Sequence, residues 1–519
     1  MSLRREQALG EAASHQWDVV VIGGGATGLG SAVEAATRGY RTLLLEARDF
    51  GSGTSSRSTK LVHGGVRYLR QGDLKLVLEG LRERGRILQN APHVAHRLAL
   101  VIPAYHVWEL PFYGAGLTLY DLLARGERLG RSRVLSRESA REALRGVRER
   151  GLKGGILYYD GQFDDARLAI ALLKTLFDNG GIALNYAPVM ELMKRNGAVC
   201  GVMAEDSESG GRFEVAARVV INATGVFTDE VRRMDEPESE PLVTISQGTH
   251  IVLPREFLPG SAALMVPRTA DGRVLFAIPW HDRVVVGTTE AAVPGPRPEP
   301  EALREERRFL MSHVAQYFER QPQPHEVRSV WSGQRPLVRR TGVARTAALS
   351  REHTILVSRS KLVTITGGKW TTYRKMGEDV IDQAAGVAGL PTVASRTAEL
   401  KLHGWTEDAR GQEWEGVYGS DLRAVQAIAD ENRAMEELLH PNLPFRRAEV
   451  VWAAREEMAR CVEDVLARRT RALFLDAKAS REAASITAQL LARELNRDAT
   501  WEQEQVKQFG GLAERYQCT

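Results

Sequence analysis

Apolar residues 19–22 run without a break into Gly23-Gly24-Gly25-Ala26-Thr27-Gly28, and the periodicity then changes. An unbroken apolar run that stops at glycine predicts a short strand buried on both faces. The Ala-rich stretch after Gly28 predicts a helix stopped by Arg38-Gly39-Tyr40, and a second apolar run then ends in Glu46. Two comparable runs recur far along the chain. Arg218-Val-Val-Ile-Asn-Ala-Thr-Gly225 ends in glycine, and so does Lys361-Leu-Val-Thr-Ile-Thr-Gly-Gly368, ahead of a helix starting near Thr371. Three strands ending in glycine, widely separated in sequence, predict one α/β nucleotide domain assembled from distant segments. Between them, residues 249–253, 274–278 and 284–287 alternate with turn residues and predict an antiparallel sheet covering a substrate.

From about residue 400 the pattern turns helical. In residues 449–474, Val451, Ala454, Met458, Val462 and Val465 recur at spacings of three and four. Arg455, Glu456, Arg460, Glu463 and Asp464 occupy the opposite face, which predicts one amphipathic helix. A chain of 519 residues exceeds what a single core usually holds. The expected division is a disordered leader over 1–16, interleaved nucleotide and substrate domains over 17–395, and a helical domain over 396–519. The substrate part is expected mainly in 78–150 and 240–330.

Composition changes this picture little. A hydrophobic share of 43% with 26% charged residues is ordinary for a globular enzyme, and a net charge of +4 makes no case for nucleic acid. Cys200, Cys461 and Cys518 are too far apart for a metal cluster or a redox dithiol. They suit a reducing compartment, and no metal is expected. The first sixteen residues lack the apolar segment of a signal peptide, and no apolar run reaches the ~20 residues that span a bilayer.

The first glycine motif carries chemistry because each position has a separate task. Gly23 permits a tight turn, Gly25 lets backbone approach a pyrophosphate at a helix start, and Gly28 lets the helix pack on the strand. Glu46, eighteen residues past Gly28, is placed for a ribose hydroxyl. This fingerprint suits NAD and FAD equally. Downstream, residues 53–68 combine hydroxyls and glycines with His63, Arg67 and Tyr68, more than a flexible linker needs.

Five blocks in order now define a resemblance: Ser55-Ser56, Lys60-Leu-Val-His-Gly-Gly-Val-Arg-Tyr-Leu69, Asn222-Ala-Thr-Gly225, Gly333-Gln-Arg-Pro-Leu337 and Gly367-Gly-Lys-Trp-Thr-Thr-Tyr-Arg374. Together they resemble the FAD-dependent glycerol-3-phosphate dehydrogenases, within the D-amino-acid-oxidase-like flavoproteins, over residues 17 to about 477. Trp370 departs from the Leu often found there. The resemblance implies an α/β FAD-binding Rossmann-like domain with an antiparallel-sheet substrate domain and a helical C-terminal domain. It implies that Gly23, Gly25, Gly28 and Glu46 hold the pyrophosphate and ribose, with Val189 at the adenine. Ser55, Ser56, His63, Gly64 and Gly65 would follow the flavin end; Ala223, Thr224 and Gly225 would close over the nucleotide; Gly367, Gly368 and Thr371 would border the ring, with Gly333 a further cofactor-binding position.

For the substrate, sn-glycerol 3-phosphate, the resemblance implies Arg67, Tyr68 and Arg335, with Arg351 as a further phosphate ligand. A phosphate dianion suits the forked donors of arginine. Oxidation of the C2 hydroxyl to dihydroxyacetone phosphate needs a proton acceptor beside the flavin. His250 and Lys369 are the candidates, with Arg335 the third catalytic position. The expected electron acceptor is a quinone, reached at the inner face of the cell membrane from the cytoplasm, and a homodimer is carried as an expectation. The surface segment would be residues 110–123, apolar and aromatic and followed by Arg125, Arg128, Arg131 and Arg133, or residues 67–86 with Lys75, Arg82 and Arg84. Either segment serves equally as an ordinary packing helix. Two other readings stay open: an oxidase using oxygen or acting on an amino or hydroxy acid, and a flavin-binding module without turnover.

Overall fold

The computed structural model describes residues 5–69, 73–269, 272–339, 352–407 and 414–518, leaving aside the side chains of residues 67, 68, 125 and 414. The strand Gln16–Ile22 lies at the centre of an eight-stranded sheet. It pairs in parallel with Thr42–Leu45 on one side and Arg212–Asn222 on the other, and Val363–Gly367 continues beyond Arg212–Asn222. Val19, Val20, Val21, Leu43 and Leu44 are wholly buried, because helices cover one face of this sheet and other apolar elements the second. The three glycine-ended strands therefore finish along one edge, although some 200 residues separate the first from the second.

The crossover helix Ala26–Thr37 packs against Tyr373–Ala388 at backbone distance. A Cβ on Gly377 would lie 2.7 Å from the Gly30 carbonyl oxygen, so both helices need glycine at the crossing. Residues 1–16, expected as a disordered leader, contain the helix Arg5–Ser14. Ala8 and Ala12, one turn apart, bury beside Trp17, and Arg5 pairs with Asp206 at 2.5 Å. Two alanines make a face too small for a periodicity reading to detect.

The second sheet has ten strands. Its centre is Val243–Pro254, which pairs with Ser329–Val338 on one side and Arg283–Gly287 on the other. Leu275–Trp280 and Ala263–Val266 follow, and then Ala95–Ala104, Gly154–Phe163 and Leu61–Val62. Pairing is antiparallel except where Ala263–Val266 meets Ala95–Ala104 in parallel. Its strands thus come from residues 61–163 and 243–338, a wider range than 78–150 and 240–330.

The C-terminal helices bury Val465, Phe474 and Leu491 in one core with Trp280 and Trp331 of the second sheet. The single helix expected over 449–474 is three pieces: Arg447–Glu456, a wide π-type turn Asp464–Arg469, and Ala472–Leu475. Met458 and Arg471 adopt left-handed backbone at the breaks. The chain breaks because its charges point inward. Asp464, placed on a solvent face by periodicity, is fully buried, as are Arg468, Arg469 and Arg471. Arg468 and Arg469 both grip Asp49, which follows the strand Thr42–Leu45, with Arg469 donating at 2.6 and 2.8 Å.

Burial alone would raise the Asp49 carboxyl, but Arg469 and Arg468 outweigh it and hold it at about 2. This value lies below that of the unfolded chain, so the contribution is complete above pH ~4 and fades as pH falls through about 2. Asp49→Asn removes the carboxylate that both buried guanidiniums share, leaving Arg468 on Glu463 and Asp464 and Arg469 with Glu457 at 4.0 Å, and a loss of roughly 3–5 kcal/mol is expected. Chemical denaturation at neutral pH measures it, and an unchanged midpoint would contradict the assignment.

Candidate active site

The nucleotide cradle begins where Gln16–Ile22 ends. Gly23 has φ +107°, and a Cβ there would strike the Ala223 carbonyl oxygen at 2.8 Å. On Gly28 a Cβ would sit 1.8 Å from the Gly23 carbonyl oxygen, so helix and turn touch through backbone. Gly25 precedes the helix and has no side chain to cap it. Ser55 supplies the cap from the next loop, its Oγ accepting from Ala26 N at 2.9 Å. Glu46 accepts from Gly24 N at 2.5 Å and Arg48 N at 2.9 Å, which fixes its carboxylate at the cradle's far end.

From Glu46 and Val189 a cavity of about 860 Å³ runs past Gly23, Gly25 and Ser55, beneath Ala223, Thr224 and Gly225. It continues to Gly333, Gly367, Gly368 and Thr371, with His63 and Gly65 on the facing loop. Arg335 and Lys369 stand on the same wall. Four expected residues do not line it. Gly28 lies behind the turn, and Ser56 is buried. Gly64 is pressed where a Cβ would meet Leu81 and Tyr120 at 2.5 Å. His250 is only 1% exposed. Arg67 and Tyr68 belong to the short helix Val66–Leu69, but their side chains lie outside the described residues, as does the whole of Arg351.

His250 sits on Val243–Pro254, paired with Trp331 on one neighbouring strand and Gly287 on the other. Its ring stacks on Trp331 at 4.1 Å, and Nε2 is 2.9 Å from the hydroxyl of Thr59. Burial first, then the charges of Arg335 and Lys60, push the imidazole well below its usual value, so it is neutral at pH 7. Arg335 donates to Thr288 Oγ1 at 3.0 Å. Its guanidinium occupies space that a side chain at Gly248 would take, since a Cβ there would be 2.4 Å from Nη2. Lys369 precedes the turn Trp370–Thr372, and Trp370 Nε1 donates to the Ser55 carbonyl at 2.8 Å. The tryptophan is therefore a strut between two walls of the cavity as well as packing.

Beneath the Ser55–Ser56 loop lies a charged bed. The Ser56 carbonyl accepts from Lys60 Nζ at 2.9 Å and from Arg471 Nη2 at 2.8 Å. Both cations also bind Asp165, at 2.7 and 3.0 Å. Burial, reinforced by Arg471, lowers the Lys60 amine to about 7. Sequence reasoning missed Thr59, Thr288 and Asp165. Thr59 stood in the hydroxyl-rich stretch 53–68, between two recognised blocks, and one hydroxyl among several carried no signal until its partner strand was known.

A fingerprint cradle, an acid at its far end and two cations at the other define a dinucleotide-binding oxidoreductase. Residues 18–374 match the family of FAD-dependent oxidoreductases, and residues 358–505 match the C-terminal domain of alpha-glycerophosphate oxidase. The mitochondrial glycerol-3-phosphate dehydrogenase of Macaca fascicularis is 39% identical across 97% of this chain and 74% of its own length. That of Arabidopsis thaliana is 36% identical across 100% of this chain and 89% of its own. The solved glycerol-3-phosphate dehydrogenase of Bacillus halodurans, complexed with FAD, is 27% identical with a TM-score of 0.81, covering 99% of this chain and 97% of that one. The chain belongs to the FAD-dependent glycerol-3-phosphate dehydrogenases, and its cofactor is FAD. The residues fit that group: glycine backbone at the pyrophosphate position, Ser55 at the helix start and an elongated cavity continuing to Thr371.

Gly28→Ala must displace the helix from the turn by more than an ångström. The expected result is a folded protein purified without flavin absorbance, while wild type and Gly386→Ala, at a site with open space, retain it.

Proposed function

We propose that the protein oxidises sn-glycerol 3-phosphate to dihydroxyacetone phosphate and passes the electrons to a quinone at a membrane surface. The observation that carries this reading is the placement of Arg335 and Lys369 on the cavity wall, with a neutral buried imidazole behind it. Arg335 carries the forked guanidinium donors that a phosphate takes up in parallel. Arg67, Tyr68 and Arg351 complete that site in this proposal. Lys369 orients the C2 oxygen, and His250 takes up the hydroxyl proton, which a neutral imidazole accepts and an imidazolium does not. FAD, when bound, supplies the two-electron acceptor.

Membrane association is supported by the helix Glu109–Ala124 and its flanks. Phe112, Leu119 and Leu122 are exposed along it, and Val107 and Trp108 project just before it. Arg128, Arg131 and Arg133 follow, all exposed, as an anionic surface requires. No helix among the described residues is long and apolar enough to cross a membrane. The other segment suits this role less well: Arg84, expected to face out, is buried on Asp160 at 2.8 Å, although Leu74, Leu78 and Arg82 remain exposed. The apolar cluster beneath the exposed helix contains Leu117 together with Leu100, Tyr158 and Met265 of the cavity wall. An apolar acceptor arriving at the surface would thus meet apolar walls on the way in. The three free thiols suit a cytoplasmic location on the inner face of the membrane.

Anaerobic mixing of FAD-loaded protein with sn-glycerol 3-phosphate is expected to bleach the flavin, and a quinone analogue to restore it. Bleaching by an amino acid instead would overturn the substrate, and rapid peroxide formation in air would favour an oxidase. His250→Asn is expected to slow reduction by about 10²–10⁴-fold. Because burial lowers the wild-type imidazole, the acid limb of the reduction rate should lie below pH 6.5. Phe112→Asp with Leu122→Asp should abolish flotation with anionic vesicles and leave anaerobic reduction unchanged.

A further inference from the structure

His250 is walled off from the cavity it is proposed to serve. Trp331 covers one face of the ring, and Gly287 crowds the Cδ2 edge so closely that a Cβ there would be 2.1 Å away. Nδ1 is buried and has no hydrogen-bond partner among the described residues. The one polar exit is Nε2, and the group 2.9 Å from it is the Thr59 hydroxyl. Thr59, unlike His250, lines the cavity, in company with Arg335, Thr288 and Lys369.

Neighbours on both sides immobilise Thr59. Ser58 donates to Asp165 from both N and Oγ, at 2.9 and 2.7 Å. Lys60, with left-handed backbone, anchors its amine on the same carboxylate, and its carbonyl accepts from Phe163 N at 3.1 Å. The residue is thus pinned at its termini, and its side chain bridges cavity and histidine. Charges acting on His250 are Arg335 on the adjacent strand and Lys60 beyond Trp331, with Asp165 behind Lys60.

The geometry points to Thr59 as a proton relay: its hydroxyl receives the proton of the substrate C2 hydroxyl while handing its own to His250 Nε2. Thr59 ends the step as a hydroxyl again, and His250 becomes an imidazolium. The C2–H bond breaks in the same oxidation, its electron pair leaving with the hydrogen to FAD, and C2–O becomes a carbonyl. The proton returns through Thr59 to water once product has left. A neutral ring suits this role in the tautomer that carries its proton on Nδ1, which turns the Nε2 lone pair toward the hydroxyl. This relay rests on His250 being the proton acceptor, as proposed above.

Single-turnover flavin reduction separates the two ideas when Thr59→Val, Thr59→Ser, His250→Asn and the Thr59→Val/His250→Asn pair are compared. Thr59→Val is expected to slow reduction by about 100-fold or more, to leave binding of a non-oxidisable phosphate analogue unchanged and to erase the His250 limb of the pH profile. Thr59→Ser should restore both rate and limb. The double variant should be no slower than His250→Asn alone, since relay and acceptor act on one proton. Independently of turnover, the imidazole ¹⁵N signal assigned by its loss in His250→Asn should move in Thr59→Val and stay in Thr59→Ser. A slow His250→Asn with a near-normal Thr59→Val, or multiplying effects in the pair, would overturn the relay while His250 stands. Near-normal reduction by His250→Asn would instead overturn the acceptor.

Discussion

The carboxylate of Asp165 is the point on which the three parts of this molecule converge. It lies at the start of the helix Asp165–Asp178, wholly buried, and receives Lys60, Arg471 and Ser58. Lys60 and Ser58 belong to the loop beside the cofactor cavity, and Arg471 belongs to the C-terminal domain. Lys60 and Arg471 then share the Ser56 carbonyl, next to the Ser55 hydroxyl that caps the cradle helix. Taking several charges out of water is costly, and pairing offsets that cost only when every partner is in place. The bed therefore ties the shape of the loop to correct docking of a domain some 300 residues away. Aromatic faces complete it: Lys60 Nζ lies 5.1 Å from the Trp280 ring and 5.0 Å from Trp331.

This arrangement explains why the helical domain is part of the active-site apparatus even though its helices stand outside the cavity. Phe474 packs on Trp331, and Trp331 stacks on His250. Tyr516, near the chain's end, bonds Glu299 at 2.6 Å, and Glu299 pairs with Arg57 of the cofactor loop. Position and electrostatics at the histidine are both set from behind. The ring is neutral because it is dry and near two cations, and it is dry because the C-terminal core seals the sheet.

Much of the site was legible beforehand because its residues act through local backbone. A glycine motif works within one turn, so Gly23, Gly25 and Gly28 carry their meaning in their spacing. Ser55, Thr371 and the Gly367–Gly368 pair came instead with the family resemblance, carried on short blocks of sequence. Reading was weaker wherever a side chain takes its role from a distant partner. Arg84, Arg468 and Arg471 look like solvent-facing charges until Asp160, Asp49 and Asp165 are brought to them. Ser56 and Gly64 sit in the right blocks, but they serve the wall from behind. Periodicity over 449–474 predicted one helix because it cannot register that Asp464, Arg468, Arg469 and Arg471 are bonded inward.

By itself, the sequence determined that a parallel α/β core with a dinucleotide cradle would form, because apolar runs, glycine turns and their spacing act over a few residues. It also determined the chemical groups available: a histidine, a lysine and arginines suited to a phosphorylated alcohol. Only the tertiary structure decided which of them meet. Pairing Val243–Pro254 with Ser329–Val338 set His250 on Trp331 and brought Arg335 into the charge environment of the imidazole. Closure of the second sheet on the first left Thr59, and not the histidine, facing the cavity. Burial and charge pairing are sums over residues far apart in the chain, and for that reason no window of sequence contains them.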